Sequence, residues 1–189
     1  MLTALIIGWP APLLPIQILW VNIVTDTTMV IPLGVEPGEK NIMKRRPSPF
    51  DAPLLNRFMI MKMIVTALTI AMTTLFVYGF FLGKSDQTYA QSAAFLTLVT
   101  TQWANAFIMR SHTESIFSRI KVKNKLFWRM LFVSICIQFL VLETPLGQLL
   151  HIVKLTYADF AIIVTIGFLV PIIVSEIQKY IQKRHQITI

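Results

Sequence analysis

Three oxygen-bearing side chains, Asn22, Thr25 and Asp26, lie close together in an otherwise apolar segment of the chain. A carboxylate deep in a membrane-spanning segment is costly, so Asp26 is a candidate functional group. On an α-helix the spacing i, i+3, i+4 places all three side chains on one face. Together they offer an amide oxygen, a hydroxyl and a carboxylate. This set suits a hard cation such as calcium, and also sodium or a proton.

Three ligands from one helix do not complete a calcium site, because calcium takes about six to eight oxygens. The remaining ligands must come from other helices or from backbone carbonyls freed by local unwinding. Gln102 and Asn105, spaced i, i+3 in a later apolar segment, offer two more amide oxygens. An alternative is that these polar groups only hydrogen-bond between helices. That alternative fits Asp26 less well, since a carboxylate is a costly way to hold helices together.

The composition predicts that these residues lie on membrane helices. Of the 189 residues, 55% are apolar and only 14% are charged, with a mean hydropathy of +0.67, whereas soluble domains average about 25% charged residues. Five apolar segments are long enough to cross a bilayer: residues 13–33, 59–82, 92–109, 126–142 and 157–177. We therefore predict one domain over residues 1–189, an all-α polytopic transmembrane helical bundle. It has five spanning helices preceded by a short apolar stub at residues 2–9.

The basic residues predict the orientation of this bundle. Fifteen of the 17 lysines and arginines are on one side: they lie between the first and second segments, between the third and fourth, or after the fifth, with Lys62 and Arg129 counted just inside the segments that follow these loops. Only Lys84 and Lys154 lie in the other two loops. The positive-inside rule then places the C-terminus in the cytoplasm and the N-terminus outside. Few residues are expected outside the membrane and the sequence shows no targeting signal, so we expect a bacterial inner membrane. The basic cluster at residues 44–46 is too short for a nucleic-acid site, so the expected partner is the lipid bilayer and not nucleic acid.

Three further acidic residues, Glu143, Asp159 and Glu176, lie near the predicted ends of spans. Each can reach the membrane interface from there. We interpret them as interfacial groups and not as part of the cation site.

Residues 14–26, Leu-Pro-Ile-Gln-Ile-Leu-Trp-Val-Asn-Ile-Val-Thr-Asp, resemble the sixth membrane helix of cation-transporting P-type ATPases, especially those of the calcium-pump type. Residues 33–47 are similar to the next cytoplasmic loop of that family, and residues 101–106 to its eighth helix. The resemblance spans nearly the whole chain as the C-terminal membrane domain, helices six to ten. The orientation predicted from charge agrees with this assignment.

The resemblance implies ion-liganding roles for Asn22, Thr25 and Asp26. Gln102 falls where two-calcium pumps carry a glutamate, which implies a single-ion site in this chain. Thr27 replaces the small residue usual after the aspartate, so the identity of the ion is left open.

The rest of the family pattern is missing from these 189 residues. There is no Asp-Lys-Thr-Gly phosphorylation motif, no nucleotide-binding domain and no helix-four Pro-Glu motif. Phosphoryl transfer needs a carboxylate nucleophile and magnesium, so we expect no catalytic residue and no cofactor held by this chain. ATP and magnesium belong to the full-length family, and the transported cation requires the missing part. The chain is expected to be a C-terminal piece, from a truncated gene, a split gene or a partial sequence.

Two hypotheses follow. In the first, the chain is the membrane domain of a P-type cation pump, a calcium pump by its resemblance, and it works with the remaining ATPase portion. In the second, it is a non-enzymatic helical bundle, either a relic or a regulatory partner of a full-length pump. An autonomous channel or carrier is a third reading, and the incomplete ligand set argues against it.

Overall fold

The computed structural model describes residues 1–38, 57–111 and 115–184, and every regular element in these ranges is helical. The elements are, in chain order, α1 (Leu2–Ile6), α2 (Pro15–Trp20), a π-helical segment (Val21–Asp26), α3 (Thr27–Leu33), α4 (Arg57–Leu82), α5 (Gln87–Met109), α6 (Ile116–Ile120), α7 (Lys125–Glu143), α8 (Leu146–Leu149) and α9 (Tyr157–Arg184). The prediction of an all-α bundle is confirmed. The basic residues Lys40, Lys44, Arg45 and Arg46 of the first basic loop lie outside the described ranges.

Elements α2, the π-helical segment and α3 follow one another without a break and form one helix, Pro15–Leu33, which we call the site helix. Pro15 begins it, and proline suits this position because the first helical N–H has no intrahelical acceptor. Gly34 follows the last residue. The predicted segment, residues 13–33, differs from the observed helix by two residues at its start.

Four helices in the described ranges are long and apolar enough to cross a membrane: Pro15–Leu33, Met59–Leu82, Lys125–Glu143 and Tyr157–Gln182. The fifth predicted span, residues 92–109, lies within α5. Helix α5 has 23 residues, about 34 Å at a rise of about 1.5 Å per residue, but it is less apolar than the other four. That α5 crosses the membrane stays a prediction.

Helix α5 can carry polar residues because other helices cover it. It packs against α4, α9, α3 and the π-helical segment, and 16 of its 23 residues are buried. Three of these are threonines whose hydroxyls donate to the backbone of the same helix: Thr97, Thr100 and Thr101. A helix enclosed by other helices does not need an apolar surface all round, so its hydropathy is a weak signal of its place in the membrane.

The outer surface of the bundle is apolar. Large hydrophobic side chains are exposed on α4, α7 and α9, among them Met72, Phe76, Phe132 and Ile173. Exposing such a surface to water is unfavourable, whereas contact with lipid chains is not. The fold is that of an integral membrane protein.

Helices α5 and α9 approach closely where a glycine faces a threonine. A β-carbon at Gly167 would overlap the hydroxyl of Thr100 and crowd the carbonyl oxygen of Thr97. The Thr100 hydroxyl is held in place by donating to the carbonyls of Leu96 and Thr97, at 3.0 and 2.9 Å. Small residues commonly allow this approach between membrane helices. Gly167 therefore sets the spacing between α5 and α9.

The segment after α1 is fastened to the bundle by two side chains. The Tyr78 hydroxyl on α4 donates to the Pro10 carbonyl at 3.0 Å, and the Gln91 amide on α5 donates to the Ala11 carbonyl at 2.8 Å. These bonds fix the chain just before the site helix begins.

We expect Gly167→Ala to lower the melting temperature of the purified chain in detergent. Overpacking at this contact costs about 1–3 kcal/mol, or about 2–4 °C for each kcal/mol in a chain of this length. Gly83→Ala is the control, because its added β-carbon meets only ordinary contacts. An unchanged melting temperature for Gly167→Ala would show that α5 and α9 are not closely packed there.

Candidate cation site

The polar motif coincides with a change of helix type. Residues Val21–Asp26 form a π-helical segment between two α-helical parts of the site helix. In a π turn the backbone hydrogen bond joins residues five apart instead of four. Such segments are rare in proteins, and those that occur often lie at functional sites. The α-helical periodicity that the sequence analysis assumed for Asn22, Thr25 and Asp26 is therefore wrong.

The wider turn separates the three side chains. Thr25 is buried, with 1% of its surface exposed, whereas Asn22 is exposed and Asp26 is half-buried. Three residues complete well under one turn in a π-helix, so Asn22 and Thr25 do not share a face. The change of angle around the helix axis has less effect on residues four apart, because such residues stay close to one full turn apart. Asn22 and Asp26 therefore lie together on the more open side of the helix.

Asp26 has no structural partner in the part of the chain that the structure describes. Its carboxylate accepts no hydrogen bond there and forms no ion pair. A half-buried carboxylate without a partner loses hydration and receives nothing in return. Asp26 is therefore available to bind a ligand.

The two threonines after Asp26 are already engaged with the backbone. The Thr27 hydroxyl donates to the Asn22 carbonyl at 3.3 Å. The Thr28 hydroxyl is shared between the carbonyls of Val24 and Thr25, at 2.7 and 3.0 Å. These bonds reach back over the π-helical segment and satisfy carbonyls at its wide turn.

The second predicted pair lies on the neighbouring element. Helix α5, which packs against the π-helical segment, carries Gln102 and Asn105, and both side chains are half-buried. The Asn105 Oδ1 atom is buried without a hydrogen-bond partner among the described residues. A buried, unpaired acceptor is unfavourable. The alternative that Asn105 serves as an interhelical hydrogen-bond acceptor thus finds no support in the described contacts.

These residues alone do not enclose a metal ion. Within the described ranges, no group of three or more histidine, cysteine, aspartate or glutamate side chains is placed to hold one. The site helix and α5 carry one carboxylate, one buried hydroxyl and three side-chain amides on two elements that pack against each other. Since calcium takes about six to eight oxygens, further ligands are required, as the sequence predicts.

The sequence analysis missed Gln17 at the start of the site helix. It is fully buried; its Oε1 atom accepts from the Leu14 N–H at 3.0 Å, and its Nε2 atom donates to the Leu150 carbonyl at 3.0 Å. A glutamine at the third helical position can cap the helix start, and its place two residues after Pro15 is the signal that could have identified it. Gln17 fixes this end of the site helix to the segment after α8.

The acidic residues near the span ends have mainly structural partners. Glu176 on α9 accepts from the Ser115 hydroxyl at 2.6 Å and from the Ile116 N–H at 3.0 Å, and so caps the start of α6. Asp159 accepts from the Tyr89 hydroxyl at 2.6 Å. Neither contact involves the cation-site residues.

A model of the protein family described as "Cation transporting ATPase, C-terminus" matches residues 10–181. The match therefore includes the site helix, α5 and most of α9.

Curated relatives are calcium pumps by name. The chain is 34% identical to the calcium-transporting ATPase of Bacillus subtilis over 167 residues, which are 87% of this chain and 19% of that protein. It is 29% identical to calcium-transporting ATPase 1 of Bacillus cereus, over 95% of this chain and 22% of that protein. It is 30% identical to the human calcium-transporting ATPase type 2C member 1, over 97% and 20%. The chain thus spans about a fifth of the length of these relatives.

We expect Asp26→Asn to leave the melting temperature of the chain unchanged or to raise it, because the carboxylate has no partner to lose. Glu176→Gln is the matched comparison. It weakens charge-assisted hydrogen bonds worth about 2 kcal/mol, a loss of about 4–8 °C. Thermal unfolding in calcium-free detergent measures both. An equal loss of stability in the two variants would make Asp26 a structural residue.

Proposed function

Because the chain belongs to the family of cation-transporting ATPase C-terminal domains, we propose that it supplies part of the intramembrane cation site of a P-type pump. The proposed ligands are Asn22 and Asp26 on the open side of the site helix. The observation that carries the proposal is the carboxylate of Asp26, which has no partner among the described residues and lies in a π-helical segment of a membrane helix. An intramembrane carboxylate without a structural partner is best explained by an ion.

A second set of proposed ligands lies on the inner side of the site. Thr25 is buried on the π-helical segment, and Gln102 and Asn105 lie on α5, which packs against it. The unpaired Asn105 oxygen supports this role. With Gln102 in place of an acid, the set carries a single negative charge, which favours one ion over two.

Calcium is the proposed ion. All the proposed donors are oxygens, which calcium prefers, and no sulfur or imidazole is among them. The relatives from Bacillus and from human are calcium-transporting ATPases by name. Both observations point to the same cation.

The remaining parts of the pump are proposed to belong to a portion of about four-fifths of a relative's length that lies outside this sequence. That portion would supply the other ligands, the phosphorylation site and the sites for ATP and magnesium. The second hypothesis, a non-enzymatic bundle, is favoured if no such portion works with this chain.

We propose a bacterial inner membrane, with the N-terminus outside and the C-terminus in the cytoplasm. The asymmetry of the basic residues supports this orientation. Fluorescent protein fused after Ile189 is expected to fluoresce, and alkaline phosphatase fused there to be inactive, since it folds only outside the cytoplasm. The same two reporters placed after Lys84 are expected to give the opposite pattern. The reverse result at both positions would invert the topology.

The function is tested by combining this chain with the remaining portion of a pump and measuring calcium-dependent phosphorylation from ATP. We expect Asp26→Asn to abolish it or to raise the calcium requirement by about 100-fold, because ligand charge sets calcium affinity. Asp86→Asn, an exposed residue just before α5, is the control and is expected to behave as wild type.

Two outcomes would contradict the proposal in different ways. Unchanged calcium dependence in Asp26→Asn would remove Asp26 from the site. No calcium-dependent phosphorylation in the wild-type combination would favour the non-enzymatic bundle.

A further inference from the structure

A buried ion pair lies just beyond the end of the site helix. The Arg110 Nε atom, directly after α5, is 2.9 Å from Glu36 Oε1. Only 1% of the Arg110 side chain and 8% of the Glu36 side chain are exposed. The pair joins the chain ten residues after Asp26 to the helix that carries Gln102.

Asn124 donates to the second carboxylate oxygen of Glu36. Its Nδ2 atom donates to Glu36 Oε2 at 2.6 Å and to the Pro32 carbonyl, in the last turn of the site helix, at 3.1 Å. Its Oδ1 atom accepts from the Phe127 N–H at 2.9 Å and so caps α7. One amide therefore ties the end of the site helix to the start of α7.

Arg119 extends the network to the residues that follow. It donates to the Pro37 carbonyl at 2.7 Å and, through Nε, to the Arg110 carbonyl at 3.2 Å. Arg110 donates in turn to the Val122 carbonyl at 3.0 Å. We call Glu36, Arg110, Arg119 and Asn124 the end clamp.

The end clamp changes the interpretation of two basic residues. The sequence analysis counted Arg110 and Arg119 among the orientation charges of a loop, but both are buried. A buried ion pair compensates its desolvation only when good geometry and additional hydrogen bonds satisfy both partners. The Glu36 carboxylate meets this condition, because one oxygen accepts from Arg110 and the other from Asn124. Arg110 donates through Nε and Nη2 and lies over the Phe127 ring, while its Nη1 atom is buried without a hydrogen-bond partner among the described residues.

The site helix is thus fixed at both ends and irregular in the middle. Gln17 anchors its start through the Leu150 carbonyl, and Glu36 anchors its end through Arg110 and Asn124. The π-helical segment lies between these anchors. Contacts at both ends restrict the rotation of the site helix relative to the bundle.

We infer that Glu36 is a positioning residue for the cation site: through Arg110 and Asn124 it fixes the rotation of α3 and thereby holds the Asp26 carboxylate where an ion binds. The claim that Glu36 fixes the rotation of α3 is argued from the contacts of the end clamp alone. Its consequence for calcium rests on the proposed function.

Hydrogen–deuterium exchange of the full chain in detergent, without calcium, tests whether Glu36 fixes the rotation of α3. In Glu36→Gln we expect amides of residues 20–30 to exchange about tenfold faster, the change that follows from losing a charge-assisted hydrogen bond. Glu143→Gln is the matched control, because it breaks the exposed pair with Lys154 at 2.7 Å. Exchange in residues 20–30 is expected to be unchanged there.

Asn124→Ser is the milder second variant. Serine keeps the cap of α7 but removes the donors to Glu36 and Pro32, so the chain is expected to fold and to exchange faster in residues 20–30. If Glu36→Gln does not fold, this variant decides the question. Exchange at the wild-type rate in the folded variants would overturn the inference.

The calcium consequence is measured in the complemented pump. Glu36→Gln and Asn124→Ser are expected to raise the half-saturating calcium concentration about tenfold while keeping the maximal phosphorylation level, because the ligands are intact but misplaced. Asp26→Asn is expected to have the larger effect, a rise of about 100-fold in the calcium requirement or loss of phosphorylation, because it removes a ligand charge.

The two failures can be told apart. If Asp26→Asn abolishes calcium dependence while both clamp variants match wild type in exchange and in calcium requirement, only the inference fails. If wild type shows no calcium-dependent phosphorylation, the proposed function fails, and exchange alone decides whether the end clamp holds the site helix.

Discussion

The bundle depends on the enclosure of one polar helix. Helix α5 carries threonines, Gln102 and Asn105, and these side chains are unfavourable in contact with lipid. Packing against α4, α9, α3 and the π-helical segment buries the threonines and covers part of Gln102 and Asn105, and the close approach at Gly167 makes that packing tight. The enclosure brings amide oxygens into the middle of an apolar bundle, next to the helix that carries Asp26.

The site helix combines rigid ends with an irregular centre. Gln17 and the end clamp hold its ends on different parts of the bundle, through buried hydrogen bonds and a buried ion pair. The π-helical segment between them turns Asn22 and Asp26 outward and Thr25 inward. Under the proposed function, this division gives the helix an outer pair of ligands, Asn22 and Asp26, and an inner ligand, Thr25, on the side where α5 packs.

The sequence predicts the fold better than it predicts the site geometry. Apolar segments locate the long helices because lipid exposure demands apolar side chains, and the motif around Asp26 leads to the correct family. The π-helical turn is not predicted, and neither are the anchors of Gln17 and Glu36, because the partners of these two residues are distant in sequence. For the same reason the sequence does not predict that Arg110, in the loop after α5, is buried in an ion pair with Glu36. The pattern of residues 20–28 contains no signal that distinguishes a π turn from an α turn.

The central claim is that Asp26 binds the transported cation. Cryo-electron microscopy of this chain assembled with the remaining pump portion, with and without calcium, tests it most directly. We predict calcium-dependent density at about 2.3–2.6 Å from an Asp26 carboxylate oxygen, with the Asn22 amide beside it and the π-helical turn retained. Density for calcium elsewhere, with Asp26 hydrogen-bonded to a neighbouring helix in both maps, would contradict the claim.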